Sequence, residues 1–536
     1  MQGKLCNKLR NIHREKLVGH SQKGRAITSA SIDLPLAATG THRCLLTKCH
    51  SSIPPNRTCE FFTVRCVPNC TNNTSLVYLD SFAHVHATWT TAELANANAH
   101  PKASVLLFII DSLSQQNFHR MLNRTAKVLQ ADYSAVLFRQ YSKVAENSLP
   151  NMACSQASWQ TGHFQEELRK YSLIDWPFIW KDYKHEGYKT LLLEERIGSF
   201  FQKWEGLRRQ PTTHFYLPYA VHQDRIRQLW NSRVESKLCY GNRPYYHQCL
   251  HYLRSFFAAY PPEIPKFAVS WLNDLSHNDV AQISVADEQL AEFFASLHEA
   301  LRDSWLIVMG DHGFRLGSIR TTPVGYVEDA MPLFAIAPPA GARRVRHTLT
   351  RNSHIVSSHF DLHATLVDIM NDGRTTIAKR GTAGQSLLTP LHPLRNCSEA
   401  GIPVEYCLCA ERFQNDSNNS SDNPIVLQAA ASIVKLTNEQ LQNGKVEHKC
   451  AMVDRFNIQQ SNLYDIENNT KVRVVIEQLP KGGLLEAIFL VAKKPAESVT
   501  EHDLQLVGNI KRITPWWDQS ACVSAHALKP YCYCLG

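Results

Sequence analysis

Three apolar runs in this sequence stop on residues of metal-ligating types. "SVLLFII" ends on Asp111 and Ser112, "SWLIVMG" ends on Asp311, His312 and Gly313, and "KFAVSWL" runs into "NDLSHND", which holds Asn273, Asp274, His277 and Asp279. Carboxylate oxygen and imidazole nitrogen together are ligands for zinc. One such ending has an ordinary explanation, since Asp and Ser cap helices and "DHG" makes a turn. Three of them, each following a buried run, favour a metal site. A further segment, "AENSLPNMACSQASWQTG", sets Ser148 before Pro150 and a helical pattern. Its hydroxyl would then sit at a positively polarised helix N-terminus, where an anion also binds. A serine so placed could attack phosphorus or sulfur, while a plain helix cap by Asn147 or Ser148 is the structural alternative.

These residues need a scaffold that brings strand ends together. The six apolar residues from Val105 to Ile110 suit a strand buried on both faces, and in open α/β sheets ligands gather beyond the carboxyl ends of parallel strands. From Pro101 to His392 such runs alternate with helical segments, including "HRMLNRTAKVLQ" and "VADEQLAEFFASLHEALRD". The alternation predicts an α/β fold with a mostly parallel sheet and helices on both faces. Flanking it, residues 1–98 are cysteine-rich with β-like runs such as "FFTVRCV", and residues 396–536 are cysteine-rich with an amphipathic helix and a hairpin in "KVRVVIEQLPKGGLLEAIFLVAK". Three regions are expected: 1–98, 99–395 as the catalytic domain, and 396–536.

Composition narrows the class of protein. A net charge of +9 over 536 residues is modest, and the Lys and Arg residues form no stripe with interleaved aromatics, so no nucleic-acid partner is expected. The sixteen cysteines cluster toward the two ends, beside N-x-S/T sequons at Asn56, Asn69, Asn72, Asn73, Asn396, Asn415, Asn418, Asn419 and Asn468, with Asn123 adding one in the middle. That combination reads as disulfides and glycans acquired in the secretory pathway. The pairs in "CLC" and "CYC" have the wrong spacing for a zinc finger. The basic N-terminus lacks the apolar core of a signal peptide, and no run is long enough to span a membrane. An extracellular protein whose leader or anchor lies outside this chain is the expectation.

On the segments "IIDSLSQQNFHR", "NSLPN", "WKDYKHEGYKTLLLEE", "LSHND", "DHGFRLGSIRTTPVGYVED", "HFDLHATLVDI" and "NCSEAGIPVEYCLC", the chain resembles the secreted animal proteins grouped as domain of unknown function 229. More broadly it resembles the alkaline-phosphatase superfamily, which includes sulfatases and phosphodiesterases. The resemblance spans roughly Cys59 to Cys534. It implies an alkaline-phosphatase-like α/β fold and a metal-dependent hydrolase acting on anionic phosphate or sulfate esters, of glycan or nucleotide origin. Carried onto this sequence, it implies that Asp111, Asp311 and His312 bind one divalent ion and His277 with Asp274 or Asn273 a second. Ser148 would be the nucleophile between them. Zinc is the expected metal, with calcium or magnesium as alternatives.

Several residues depart from the superfamily pattern. The sulfatase "C-x-P-x-R" motif is absent, and Cys154 reads as a buried thiol. The downstream "HG" histidine is missing from "KRGTAGQSLL", which leaves His359, His363 and His392 as nearby candidates. A periodic "FDLHATL" makes His363 structural. The competing expectation is a catalytically degenerate glycoprotein that keeps the fold as a binding module for anionic glycans, toward which the positive charge is favourable.

Overall fold

The computed structural model describes residues 29–33, 60–67, 78–157, 175–195, 210–230, 238–240, 243–372, 384–408, 422–466, 469–479, 482–493, 499–500, 503–516, 518–524 and 526–535. Residues Val105–Ile110 form a strand buried along its whole length. Its side chains alternate between two cores: Leu106, Phe108 and Ile110 enter one apolar cluster, and Val105, Leu107 and Ile109 enter another. Successive Cβ atoms of a strand point to opposite faces, so a wholly apolar strand requires cover on both. The first cluster is closed by helices Gln115–Met121, Asn123–Ala131, Tyr246–Ala259 and Asp287–Leu297. Helices Ser148–Ala157, Ile179–His185, Arg343–Asn352 and His359–Met370 close the second.

Numbered along the chain, the strands begin with β1 (Ser29–Asp33), β2 (Phe61–Val67) and β3 (Tyr78–Ala83), an antiparallel sheet of three. Then come β4 (Val105–Ile110), β5 (Val136–Leu137), β6 (Tyr141–Ser142), β7 (Lys189–Glu194), β8 (His214–Phe215), β9 (Cys239–Tyr240), β10 (Arg243–Pro244), β11 (Lys266–Leu272), β12 (Trp305–Gly310), β13 (Phe334–Ala337) and β14 (Ser357–Ser358). The central sheet has the order β5-β13-β12-β4-β11-β7-β8. Strands β12, β4, β11, β7 and β8 are parallel, and β13 runs antiparallel to both β12 and β5. The mostly parallel sheet expected from the alternating pattern is present.

Internal contacts divide the chain into two compact units, one of Met1–His312 and Pro332–Arg395, the other of Gly313–Met331 and Asn396–Gly536. In the second unit β15 (Arg455–Ile466), β16 (Asn469–Leu479), β17 (Gly483–Ala492) and β18 (Gln505–Arg512) make an antiparallel sheet, with helix Pro424–Asn443 packed on it through Ile425, Val426, Ala429 and Ile433. Buried charges fasten Gly313–Met331 to that sheet: Arg320 pairs with Glu486 at 2.7 Å and Asp329 at 3.1 Å, and Arg473 reaches Glu486 at 2.6 Å. A Cβ on Gly313 would lie 1.7 Å from the Glu328 carbonyl oxygen, so only glycine fits there.

Disulfides Cys397–Cys407, Cys450–Cys532 and Cys522–Cys534 staple the second unit. Cys407, Cys532 and Cys534 are thus disulfide members, which disposes of a zinc reading for them. Cys154 is a buried thiol outside the disulfides whose pKa burial pushes up, as an inert core cysteine requires. Cys44, Cys49, Cys59 and Cys70, and the sequons at Asn56, Asn69, Asn72, Asn73, Asn415, Asn418, Asn419 and Asn468, lie outside the described residues. No helix among the described residues is long and apolar enough to cross a membrane.

Candidate metal and nucleophile site

Strand register sets the site. Ile110 pairs with Leu272 on one side and with Gly310 on the other. The next residues, Asp111, Asn273 and Asp311, therefore stand at one level past the carboxyl ends of three adjacent strands. On β7, Glu194 pairs with Trp271, so Glu195 follows on a fourth strand one residue short of that level, opposite Leu272.

The turn after β4 links two of these carboxylates. Ser112 adopts φ +60°, a left-handed conformation that costs energy in a residue with a Cβ. It lets the Ser112 N–H donate to Asp311 Oδ1 at 2.9 Å while its hydroxyl donates to Asp111 Oδ1 at 2.8 Å. The His312 N–H also donates to Asp311 Oδ1, at 2.9 Å. Gly310 is needed just before, because a Cβ there would lie 2.1 Å from the Leu113 carbonyl oxygen. Asp111, Asp311 and His312 are all buried and offer ligand atoms within 4.8 Å of one another. Asp311 Oδ2 is buried and accepts no hydrogen bond within the described residues. Two carboxylates and an imidazole, one of whose buried oxygens takes no hydrogen bond within the described residues, are a donor set that fits a divalent cation.

Ser148 is the first residue of helix Ser148–Ala157, and its Oγ lies 3.2 Å from His312 Nε2. Asn151, one turn on and fully buried, fixes the approach. Its Oδ1 accepts the N–H groups of Val144 and Ala145, and its Nδ2 donates to the carbonyls of Ala145 and Asn147. All four hydrogen-bonding positions of the amide are used to hold the loop that delivers the serine.

His359 supports the cluster from behind. The parallel pairing of β14 with β6 sets it beside Tyr141. Its Nε2 donates to the Asp311 backbone carbonyl at 2.9 Å, so Nδ1 is the acceptor and takes the Tyr141 hydroxyl at 2.9 Å. Burial lowers its pKa to about 4, against the opposing pull of Asp311, which keeps the ring neutral. With both nitrogens engaged, His359 positions the Asp311 backbone. Of the other two candidate histidines, His363 packs in the helix with Nδ1 3.2 Å from the Ser155 carbonyl, and His392 is exposed.

The remaining sequence candidates are not members of this three-residue group. Asp274 is buried at the end of β11, where its N–H and that of Asn273 donate to the Glu195 carboxylate at 3.1 and 2.7 Å. His277 is half-buried, with Nδ1 2.9 Å from Asn278 Oδ1, and neither it nor Asp274 joins the three-residue cluster. Neither amide atom of Asn273 hydrogen-bonds within the described residues. Glu195 and His359 hydrogen-bond the backbone beside the candidate residues; His359 was among the candidates in the sequence, and Glu195 was not. Glu195 carried the same signal as Asp111, an acidic residue closing the apolar run "TLLLE"; the role of His359 has no local signal.

A family model described as "Protein of unknown function (DUF229)" matches residues 21–459. The chain belongs to this family. No curated protein matches this DUF229 chain. Among solved structures it is similar to the phosphonate monoester hydrolase SpPMH from Silicibacter pomeroyi, at 13% identity over 73% of this chain and 89% of that one, with a TM-score of 0.38. It is also similar to an alkaline phosphatase superfamily protein from Vibrio parahaemolyticus, at 11% identity over 78% and 94% with a TM-score of 0.39. A third is the lipoteichoic acid synthase LtaP from Listeria monocytogenes, at 14% identity over 53% and 75% with a TM-score of 0.36.

Proposed function

We propose that this chain is an extracellular metal-dependent hydrolase of phosphate or sulfate esters in which Ser148 is the nucleophile. One observation carries the reading. Ser148 Oγ lies 3.2 Å and Asp311 Oδ2 lies 3.5 Å from the same ring nitrogen, His312 Nε2. In a serine–histidine–carboxylate relay the acid would hold the opposite nitrogen. Oxygens and nitrogen converging from one side are instead the pattern of groups that share a cation. Asp111, Asp311 and His312 would hold that ion, zinc by ligand type, which when bound lowers the pKa of a neighbouring hydroxyl and draws off charge from the ester oxygens.

The chain's own residues supply the rest. The Ser148 hydroxyl gives its proton to water as Oγ attacks phosphorus, a bond forms to Oγ, the ester bond opposite breaks, and the departing alkoxide takes a proton back from water. Water then cleaves the phosphoseryl group and restores the hydroxyl. Asn151 keeps the serine at its helix N-terminus, where the first turn's N–H groups favour the anion, and His359 holds the Asp311 backbone. Disulfides in the second unit and sequons at the exposed Asn123 and Asn396 support an extracellular setting. A second ion on Asp274 and His277 rests on the family resemblance alone.

The test is Ser148→Ala assayed with aryl phosphate monoesters, diesters and aryl sulfates, with zinc, calcium, magnesium or manganese supplied. Turnover should fall by about a thousandfold or more with bound metal unchanged, and a phosphoseryl adduct should be trapped on the wild type. A loss of about a hundredfold or less defeats the nucleophile assignment. No turnover of any ester by the wild type favours the binding-module reading.

A further inference from the structure

Helix Arg343–Asn352 reads "RRVRHTLTRN", with four arginines, one histidine and no acidic residue. Val345 and Leu349, four positions apart, turn one side of it into the second apolar cluster. On the other side Arg343, Arg344, His347 and Arg351 are exposed. At 3.6 residues per turn these four fall within about 100° of arc and run along about 12 Å of helix. Arg139 extends the line at the far end, where it is exposed and its N–H donates to the Ser353 carbonyl at 2.8 Å.

The guanidinium groups of Arg139, Arg343, Arg344 and Arg351 make no ion pair, hydrogen bond or ring contact among the described residues. The residues hydrogen-bonded to this helix from outside it, Arg139, Arg302, Leu387, Thr389 and Leu391, bring no carboxylate. Asp303, exposed beside Arg302, makes no ion pair among the described residues either. Elsewhere the surface pairs its cations, as in Lys189–Glu93, Lys102–Glu186 and Arg124–Glu288.

This face works against the helix that carries it. Arg343 and Arg344 stand in the first turn, where the helix dipole favours acids, and Ala342 offers no side-chain cap. Arg343 and Arg346 are like charges three apart, which repel. Docking needs only Val345 and Leu349, so the cations break a local rule with no gain inside the chain. We propose that this face binds a linear polysaccharide bearing sulfate and carboxylate groups. Cations strung along a line suit a chain of repeated anions, and guanidinium forks match both anions in bidentate geometry. Nucleic acid suits the face less, because the helix has no aromatic side chain on which a base could stack. A membrane suits it less, because its two large apolar side chains are turned into the core. The disulfides of the second unit fit an extracellular setting, where such glycans occur. The surface is distinct from the Ser148 cluster. The chain leaves β13 at Ala337, opposite Leu306 near the start of β12, whereas Asp311 follows the end of β12. The proposal does not depend on the hydrolase reading.

Calorimetric titration of the whole chain in chelator with a heparin octasaccharide tests it, with neutral dextran, duplex DNA and phosphatidylserine vesicles titrated alongside. Wild type should bind heparin in a salt-dependent manner, leave dextran unbound, and bind DNA and vesicles more weakly. The triple variant Arg343→Gln, Arg344→Gln, Arg351→Gln should bind heparin about tenfold or more weakly, with a flatter salt dependence. The triple variant Lys127→Gln, Lys184→Gln, Lys445→Gln removes the same charge from exposed positions elsewhere and should bind as wild type does. The arginine variant should also melt no lower than wild type, since its cations oppose the helix. Absence of heparin binding, an equal loss in both triple variants, or a lower melting temperature in the arginine variant overturns the proposal. DNA or vesicles binding as tightly as heparin overturns the choice of a polysaccharide.

Discussion

Replacing Asp311 with asparagine separates a metal site from a merely structural carboxylate, because the two roles predict opposite changes in stability. Asparagine keeps the shape and an oxygen for the Ser112 and His312 N–H groups, both at 2.9 Å. It removes the charge that lies with Asp111 and His312 in a group whose ligand atoms fall within 4.8 Å. At an effective dielectric of about 20, two carboxylates at that separation repel by about 3 kcal/mol. Exchanging two charge-assisted hydrogen bonds for neutral ones returns about 2 kcal/mol of that. In chelator, Asp311→Asn should therefore be as stable as wild type or about 1 kcal/mol more stable. With metal at a hundred times its dissociation constant, wild type gains about 2.7 kcal/mol and the variant gains nothing. For a unit of this size that is a rise of about 3 °C in the melting temperature. Scanning calorimetry with and without zinc should show the order of the two proteins reverse. If Asp311→Asn melts well below wild type in chelator, and zinc moves both by the same amount, Oδ1 is only a backbone anchor and the metal assignment fails. Metal analysis of the same samples should give one equivalent per chain for the wild type; a second equivalent that disappears in His277→Ala would establish the further site at Asp274 and His277.

Two predictions concern the second unit. Glu486 is buried, and although burial pushes its pKa up, Arg320, Arg473 and Lys511 outweigh this and hold it at about 2. A carboxyl held below its unfolded value contributes stability that is complete above about pH 4.5 and is lost as pH falls toward 2, here about 3 kcal/mol. Acid unfolding of Glu486→Gln, monitored on the melting of this unit, should lose most of its slope between those limits; an unchanged slope refutes the role. The Cys450–Cys532 bridge spans 82 residues, and chain-entropy reasoning assigns such a loop about 4 kcal/mol. The double variant Cys450→Ala, Cys532→Ala should unfold in urea at a correspondingly lower midpoint with Cys397–Cys407 intact, and a shift worth under about 1 kcal/mol would show the bridge to be incidental.

The residues that end the strands were legible in the sequence. A six-residue apolar run such as Val105–Ile110 has few solutions other than a strand covered on both faces, and its last apolar residue marks where the polar edge of the sheet begins. That alone singled out Asp111, Asp311 and His312 as candidates, and the turn chemistry of "NSLPN" singled out Ser148; the fold brings these four side chains together. The three-dimensional arrangement decided what local pattern does not carry. Pairing register, Ile110 against both Leu272 and Gly310, sets Asp111 level with Asp311, because hydrogen bonding between strands is chosen by the whole core and not by either strand. The same register brings in Glu195, whose carboxylate is turned to the Asn273 and Asp274 N–H groups. His359 reaches the Asp311 carbonyl across 48 positions of sequence only because β14 pairs with β6. Asp274 and His277, three residues apart and alike in type to Asp111, Asp311 and His312, are not part of that group, since residue type is a property of side chains but convergence is a property of backbone paths. Likewise nothing in "DHGFRLGSIR" reveals that the chain changes unit after His312. Within the second unit Arg320 meets Glu486, a charge pair whose members lie 166 positions apart and come together only in the folded core.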